Sequence, residues 1–222
     1  MFKIAKRKIK SVLFFLCVGI LCMVAVSFWR IGSVAPSGKA KVCIDAGHGG
    51  SDVGAEYNGR YEKDDNLRLA LAVGKILEEN GIEVVYTRTE DEFVSLEERT
   101  EFANKKKATY FVSLHRNSAD VEASGVEIWV RSDSHSEEAK LADKILSEID
   151  EVGFGNNRGI KHGYQSDSDS DYFVNKNTDM PSCLVEMGFI TTEVDNELFD
   201  ENFEEYALAV ANGIMAGIEA EE

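Results

Sequence analysis

The chain has 222 residues, of which 44% are hydrophobic and only two are proline, so it can bury one core and is short for two domains. Residues 1–40 contain seven Lys or Arg and no Asp or Glu, which leaves 17 basic and 40 acidic residues in 41–222, a net charge of −23. A domain this acidic repels polyanions, so its charge argues against nucleic acid or an anionic membrane face as a partner of the domain.

The N-terminal segment has the pattern of a membrane anchor. Basic residues cluster in 3–10, and the uncharged run 11–29 is close to the length of about 20 residues that spans a bilayer. Because a positive flank stays cytoplasmic, residues 1–30 are predicted to be a cytoplasmic stub and transmembrane signal anchor, with the remaining chain outside the membrane. A signal peptide that is cleaved near Val34 and Ala35, followed by secretion, is the alternative. Residues 31–40 are predicted to be a linker, and 41–222 the catalytic domain.

Strand and helix patterns alternate along this domain. The predicted strands cover 41–45, 82–87, 108–114, 125–130 and 181–187. The predicted helices cover 62–80, 95–107, 136–152 and 195–219, with a possible break near 201–202 in the last. Residues 153–176 are predicted to be irregular. The alternation predicts an α/β domain with a largely parallel sheet.

Two of the four cysteines, Cys43 and Cys183, fall in predicted strands. They are predicted to be buried free thiols, because free cysteine behaves as a small hydrophobic residue. A disulfide between them would require the two strands to be neighbours.

Three chemically capable residues stand at or near the ends of predicted strands. His48 follows the first strand within a glycine-rich turn, His115 follows the third, and Glu186 ends the late apolar strand. Ligands of open α/β sheets bind beyond the carboxyl ends of the strands, so we expect these side chains to gather at one edge. Glu62 stands at the start of the first predicted helix, where an acidic residue is also ordinary.

Glu186 is the most informative of these residues, because a carboxylate in so apolar a strand is costly unless it is paired or used. Burial raises its pKa toward the range useful for a general base, and a structural ion pair is the alternative. Two histidines and one carboxylate with an open fourth position form a known catalytic zinc set, in which zinc lowers the pKa of water to about 7. Other divalent ions also suit such ligands.

The remaining candidates are weaker. His135 lies in a polar stretch and is predicted to be at the surface, and His162 is predicted to lie in a loop. The Ser-Asp repeat at 166–171 lacks the spacing of a calcium-binding loop, so it is predicted to be a solvated acidic loop.

At four segments the chain resembles the zinc-dependent N-acetylmuramoyl-L-alanine amidases of bacterial cell walls, with the amidase type 3 catalytic domain. The matching segments occur in the family's order over nearly all of 41–219. They are 44–50 (IDAGHGG), 62–67 (EKDDNL), 113–117 (SLHRN) and 184–190 (LVEMGFI).

The resemblance implies a mixed, mostly parallel sheet of about six strands flanked by helices. It implies that His48, Glu62 and His115 bind Zn²⁺ and that Glu186 is catalytic. The implied substrate is the peptidoglycan amide that joins the lactyl group of N-acetylmuramic acid to L-alanine of the stem peptide. Arg116 departs from the family, which has a small residue there, and is expected to narrow substrate access or to contact a substrate carboxylate. A zinc peptidase that cuts within the stem peptide and a non-catalytic peptidoglycan-binding module remain alternatives.

Overall fold

The computed structural model describes residues 40–165 and 170–220, which contain eight strands and six helices. The strands are β1 (Lys41–Ala46), β2 (Glu56–Tyr57), β3 (Arg60–Tyr61), β4 (Glu83–Tyr86), β5 (Tyr110–Asn117), β6 (Val126–Val130), β7 (Asn157–His162) and β8 (Ser182–Phe189). The helices are α1 (Glu62–Glu79), α2 (Leu96–Lys106), α3 (Ser136–Val152), α4 (Phe173–Lys176), α5 (Glu193–Glu201) and α6 (Phe203–Glu219).

Six strands form one mixed sheet in the order β4-β1-β5-β8-β6-β7. The first four are parallel to one another, β6 runs antiparallel to β8, and β7 pairs parallel with β6. The short strands β2 and β3 form a separate antiparallel hairpin just before α1. This architecture confirms the predicted α/β class and the mixed, mostly parallel sheet.

The two faces of the sheet bury different sets of side chains, because successive residues of a strand point to opposite sides. On one face Val42, Ile44 and Val185 join the larger core, to which α1, α3 and α6 contribute. On the other face Cys43 and Leu184 join a smaller core beside α2 and α4. The smaller core leaves the carboxyl ends of the central strands open on that face, and the candidate site residues lie there.

Cys43 and Cys183 are both buried and free, as predicted. Strand β5 separates β1 from β8, and the two thiols belong to opposite faces of the sheet. This arrangement excludes the alternative of a disulfide between them.

Most of the predicted elements are present with shifted ends. The prediction that 153–176 is irregular is wrong, since β7 and α4 form there. Strand β5 continues beyond its predicted end at 114 to Asn117, so His115 lies within the strand rather than after it. Ser95 caps α2 in a reciprocal capping box with Glu98, and the last helical segment breaks at Asn202, both as predicted.

Within the described ranges, no helix is both long and apolar enough to cross a bilayer. The predicted anchor at 11–29 and the linker at 31–40, except Ala40, lie outside the described residues. Most of the Ser-Asp repeat lies outside them as well.

Candidate metal centre and catalytic cleft

His48 stands on a tight turn directly after β1. Its φ of 61° is in the left-handed region, and Gly49 and Gly50 follow with φ of 132° and 58°. A left-handed backbone costs a residue other than glycine about 1–2 kcal/mol, so the surroundings must hold it. The imidazole Nδ1 of His48 lies 2.8 Å from Oδ2 of Asp52, which orients the ring and leaves Nε2 facing Glu62.

Two buried arginines hold this turn through its carbonyl groups. Arg88 donates from Nε to the carbonyl of Ala46 at 2.9 Å and from Nη2 to that of Gly47 at 3.0 Å. Arg99 donates from Nη1 to Ala46 and from Nη2 to the carbonyl of His48, both at 2.7 Å. Each arginine is 2% exposed. These donors stabilise the backbone conformation that His48 requires. The sequence patterns predicted neither arginine as part of the site, because each contacts residues more than 40 positions away in the chain.

Asp45 is the acidic partner of Arg99 beneath the turn. Its carboxylate accepts from Arg99, Ser113 and Thr87, each at 2.6 Å. Burial alone would raise the pKa of Asp45, but the charge of Arg99 and these hydrogen bonds outweigh it and lower that pKa. Asp45 is therefore ionised at neutral pH and neutralises Arg99.

Glu62, the first residue of α1, is 4% exposed and points both carboxylate oxygens at the histidines. Oε2 lies 3.2 Å from Nε2 of His48, and Oε1 lies 2.8 Å from Nδ1 of His115. Backbone N–H groups of Ala55 and Arg116 also donate to the carboxylate, at 2.9 and 3.2 Å. The orientation of Glu62 is therefore set by the backbone on two sides.

The side chains of His48, Glu62 and His115 converge closely enough to hold a metal ion. One ligand atom from each lies within 4.8 Å of the other two. Glycines make room for them. A Cβ on Gly47 would come within 2.2 Å of the His115 ring, and one on Gly54 within 2.6 Å of Oε2 of Glu62. The donor set and the space that the glycines leave both fit a small divalent cation with nitrogen and oxygen ligands.

Protonation of His48 competes with metal binding at Nε2. Burial disfavours the charged ring, but hydrogen bonds and charge from Glu62 and then Asp52 raise the pKa of His48 to about 9. Burial likewise opposes ionisation of Glu62, yet the two histidines lower its pKa well below the ordinary value. Binding of a metal ion at this site therefore releases a proton.

Glu186 lies beside the three candidate ligands on β8. It is the register partner of His115 in β5 and of Glu127 in β6. The side chain is 7% exposed, and its Oε2 has no hydrogen-bond partner among the described residues. Burial raises the pKa of Glu186 well above its ordinary range, and the charges of Glu62 and Glu127 act in the same direction. The expected alternative of a structural ion pair is absent, since no salt bridge to Glu186 occurs in the described chain.

A cleft with a volume of about 710 Å³ opens over these residues. Phe93 and Leu96, before and at the start of α2, line one wall and are 56% and 50% exposed. Tyr164 and Tyr172 also line the cleft, with their ring centroids 4.8 Å apart. Aromatic and aliphatic side chains therefore form part of the lining beside the polar residues.

The charged guanidinium of Arg116 does not face the cleft. This placement contradicts both roles expected for Arg116, which were to narrow substrate access or to contact a substrate carboxylate. The strand alternation that points His115 into the cleft points the Arg116 side chain to the opposite face. There its guanidinium, 1% exposed, donates to Asp65 and, at 2.7 Å, to Asn196. Its contribution to the site is structural, through its backbone N–H group to Glu62.

The remaining histidines lie outside the described lining of the cleft. His135 is exposed immediately before α3, as predicted, and His162 is exposed at the end of β7, where a loop was predicted. At the end of the Ser-Asp repeat, Asp171 accepts a hydrogen bond from the backbone of Ser132 at 2.6 Å.

An α/β domain with a buried carboxylate beside a cluster of candidate metal ligands at the floor of an open cleft is typical of metal-dependent hydrolases. The family model described as N-acetylmuramoyl-L-alanine amidase matches residues 42–220. The chain therefore belongs to this family and functions as an N-acetylmuramoyl-L-alanine amidase, which confirms the resemblance seen in the sequence.

Individual relatives agree with this assignment. The chain is 38% identical to YqiI of Bacillus subtilis, described as uncharacterized, over 90% of this chain and 94% of that protein. It is 36% identical to the sporulation-specific N-acetylmuramoyl-L-alanine amidase of the same organism, over 78% of this chain and 66% of that protein. The crystal structure of an N-acetylmuramoyl-L-alanine amidase from Clostridium difficile 630 superposes with a TM-score of 0.72 at 33% identity, covering 83% and 97% of the two chains.

Proposed function

We propose that this amidase is zinc-dependent, that His48, Glu62 and His115 bind the zinc ion, and that Glu186 is the catalytic acid and base. The observation that carries the proposal is the convergence of the three ligand atoms within 4.8 Å of one another, beside a buried carboxylate whose Oε2 has no hydrogen-bond partner among the described residues. Two histidines and one carboxylate leave a coordination position free, as catalytic zinc sites require.

The residues around the candidate ligands support this assignment. Asp52 holds Nδ1 of His48, and Asn66 donates from Nδ2 to Oε1 of Glu62 at 3.2 Å. Partners of this kind orient the ligands of metal sites and tune their affinity. A zinc ion held here supplies a Lewis acid for the scissile carbonyl and lowers the pKa of water.

The role of Glu186 follows from its burial and its position. As the ionised base it accepts a proton from the attacking water, and as the resulting acid it donates that proton to the nitrogen of the departing L-alanine. A raised pKa suits both steps, because a carboxylate with an ordinary pKa is a weaker base and holds the proton less well. His115 on the neighbouring strand keeps the ligand cluster next to this carboxylate.

We also propose that the enzyme acts outside the cytoplasmic membrane and is held there by residues 11–29. The basic residues before this segment support that orientation, because Lys and Arg next to a membrane span remain on the cytoplasmic side. The full chain is expected in the membrane fraction, with its N-terminal segment intact by mass spectrometry. A mature chain that begins near Pro36 would instead establish cleavage and secretion.

The activity is tested with the full chain and purified peptidoglycan. We expect release of stem peptides that begin with L-alanine, loss of this release on chelation, and recovery on addition of zinc. Cleavage inside the stem peptide would favour the peptidase alternative. Binding to peptidoglycan without any release, in protein that carries zinc, would favour the non-catalytic module.

A further inference from the structure

We propose that the cleft selects stem peptides in which the carboxyl group of the residue after L-alanine is amidated rather than free. The proposal rests on the amidase function and on the placement of the reacting amide between the metal site and Glu186. It concerns the charge of the substrate, which the family assignment does not address.

Acidic side chains line the cleft, and no lysine or arginine of the described lining is free to pair with a substrate. Asp52 is 47% exposed, Glu97 is exposed on the first turn of α2, and Glu62 and Glu186 lie at the floor. Oε2 of Glu186 accepts no hydrogen bond from any described residue.

Besides the proposed ligands His48 and His115, which are neutral when they hold a metal ion, the basic side chains of the described lining are Arg99 and Arg116, and neither is available to a substrate. Arg99 is 3% exposed in its side chain and is paired with Asp45 at 2.6 Å. Arg116 is 1% exposed and is paired with Asp65 on the opposite face of the sheet. No lysine belongs to the described lining.

A bound divalent cation does not reverse this balance. When Glu186 is ionised and acts as the base, the carboxylates of Glu62 and Glu186 match the two positive charges of the cation, while the charges of Asp52 and Glu97 remain. The N-terminus of α2 also opens to the cleft and would by itself attract an anion. Its first turn, however, already carries Glu97 and Glu98, and Glu98 accepts from the backbone N–H of Ser95 at 2.9 Å.

When the substrate is bound, the carboxyl group on the residue after L-alanine lies within the cleft. An extended chain advances at most about 3.6 Å per residue, so a group on the residue after L-alanine lies within about 7 Å of the scissile amide. A free carboxylate there lies near Asp52, whose own carboxylate is 2.8 Å from the ring of the proposed ligand His48. An amide removes the repulsion and offers N–H donors to the same acidic oxygens.

The test compares two synthetic disaccharide peptides that differ only in a free or amidated carboxyl group on the residue after L-alanine. With the full chain loaded with zinc, we expect kcat/KM to be about tenfold higher for the amidated substrate at low ionic strength. We expect this ratio to fall toward unity as salt is raised, because salt screens partly exposed charges.

Glu97→Gln is expected to raise kcat/KM for the substrate with the free carboxylate. The ratio of kcat/KM for the amidated substrate to that for the free carboxylate should therefore fall. The matched control is Glu151→Gln, which removes the same charge at an exposed site near the end of α3, on the other face of the sheet, and should leave the ratio unchanged. Equal rates on both substrates, or a preference for the free carboxylate, would overturn the inference while leaving the amidase function intact. Cleavage of neither substrate by zinc-loaded protein would count against the proposed function and, with it, this inference.

Discussion

His115 and Glu186 are paired in register on the neighbouring parallel strands β5 and β8, although 71 residues separate them in the chain. Both side chains therefore leave the sheet at the same level and on the same face. This pairing places a candidate metal ligand beside the buried carboxylate that is proposed to move protons. Central strands are the most constrained part of such a sheet, so the geometry needed for catalysis is built into the core.

Replacing Glu186 with Gln removes the proton acceptor while preserving the shape of the side chain. We expect kcat to fall about 10²–10⁴-fold, the usual contribution of general acid–base catalysis, with bound zinc unchanged by elemental analysis. Glu197→Gln, at an exposed position on α5, is the control and should retain full activity. Full activity of Glu186→Gln would show that another group accepts the proton.

The pH profile should report the raised pKa of Glu186. The base works only when ionised, so kcat/KM should rise with pH through an acid limb well above the ordinary glutamate value of about 4.3. Glu127→Gln removes a neighbouring negative charge and should move this limb to lower pH. Zinc content measured in the same buffers separates this effect from loss of metal. An acid limb that stays at the same pH in Glu127→Gln would contradict the assignment.

Removal of a ligand should abolish metal binding specifically. His115→Ala is expected to lose stoichiometric zinc and activity, because two ligands hold the ion far more weakly than three. His162→Ala changes an exposed histidine outside the described cleft lining and should keep both. Unchanged zinc content in His115→Ala would disprove the proposed ligand set.

Replacing Arg99 should lower the free energy of unfolding much more than replacing a surface arginine. Arg99→Met leaves the buried carboxylate of Asp45 without its cation, so we expect the free energy of unfolding to fall by about 3–5 kcal/mol in urea titrations. Arg68→Met, at a side chain that is 49% exposed and pairs with Asp200 at 3.3 Å, should cost about 1 kcal/mol or less.

The same Arg99→Met variant should also bind zinc more weakly, because the carbonyl of His48 loses its donor and the left-handed turn relaxes. Competition with a chromogenic chelator measures this affinity under conditions where the variant is still folded. Equal zinc affinity in the two proteins would show that the turn holds its conformation without Arg99.

The sequence by itself determined the features that depend on nearby residues. The alternation of apolar patterns predicted the α/β class, and Ser95 with Glu98 predicted the start of α2, because a capping box needs only four consecutive residues. Burying a carboxylate in an apolar strand raises the free energy of the fold, and this penalty predicted a special role for Glu186. The family resemblance added the ligand roles of His48, Glu62 and His115. Strand β7 was missed because its sequence is polar and its burial is only partial.

Only the tertiary structure decided which distant residues meet and which face each side chain takes. Strand β8 pairs with β5 in the sheet, and this pairing brings Glu186 beside His115. Strand β5 extends past His115, so the alternation of side chains along the strand turns Arg116 away from the cleft and into the protein. The tertiary structure also placed Arg88 and Arg99 against the carbonyls of the His48 turn. The physical reason is that strand order and register minimise the free energy of the whole packed core, a quantity that no local pattern contains.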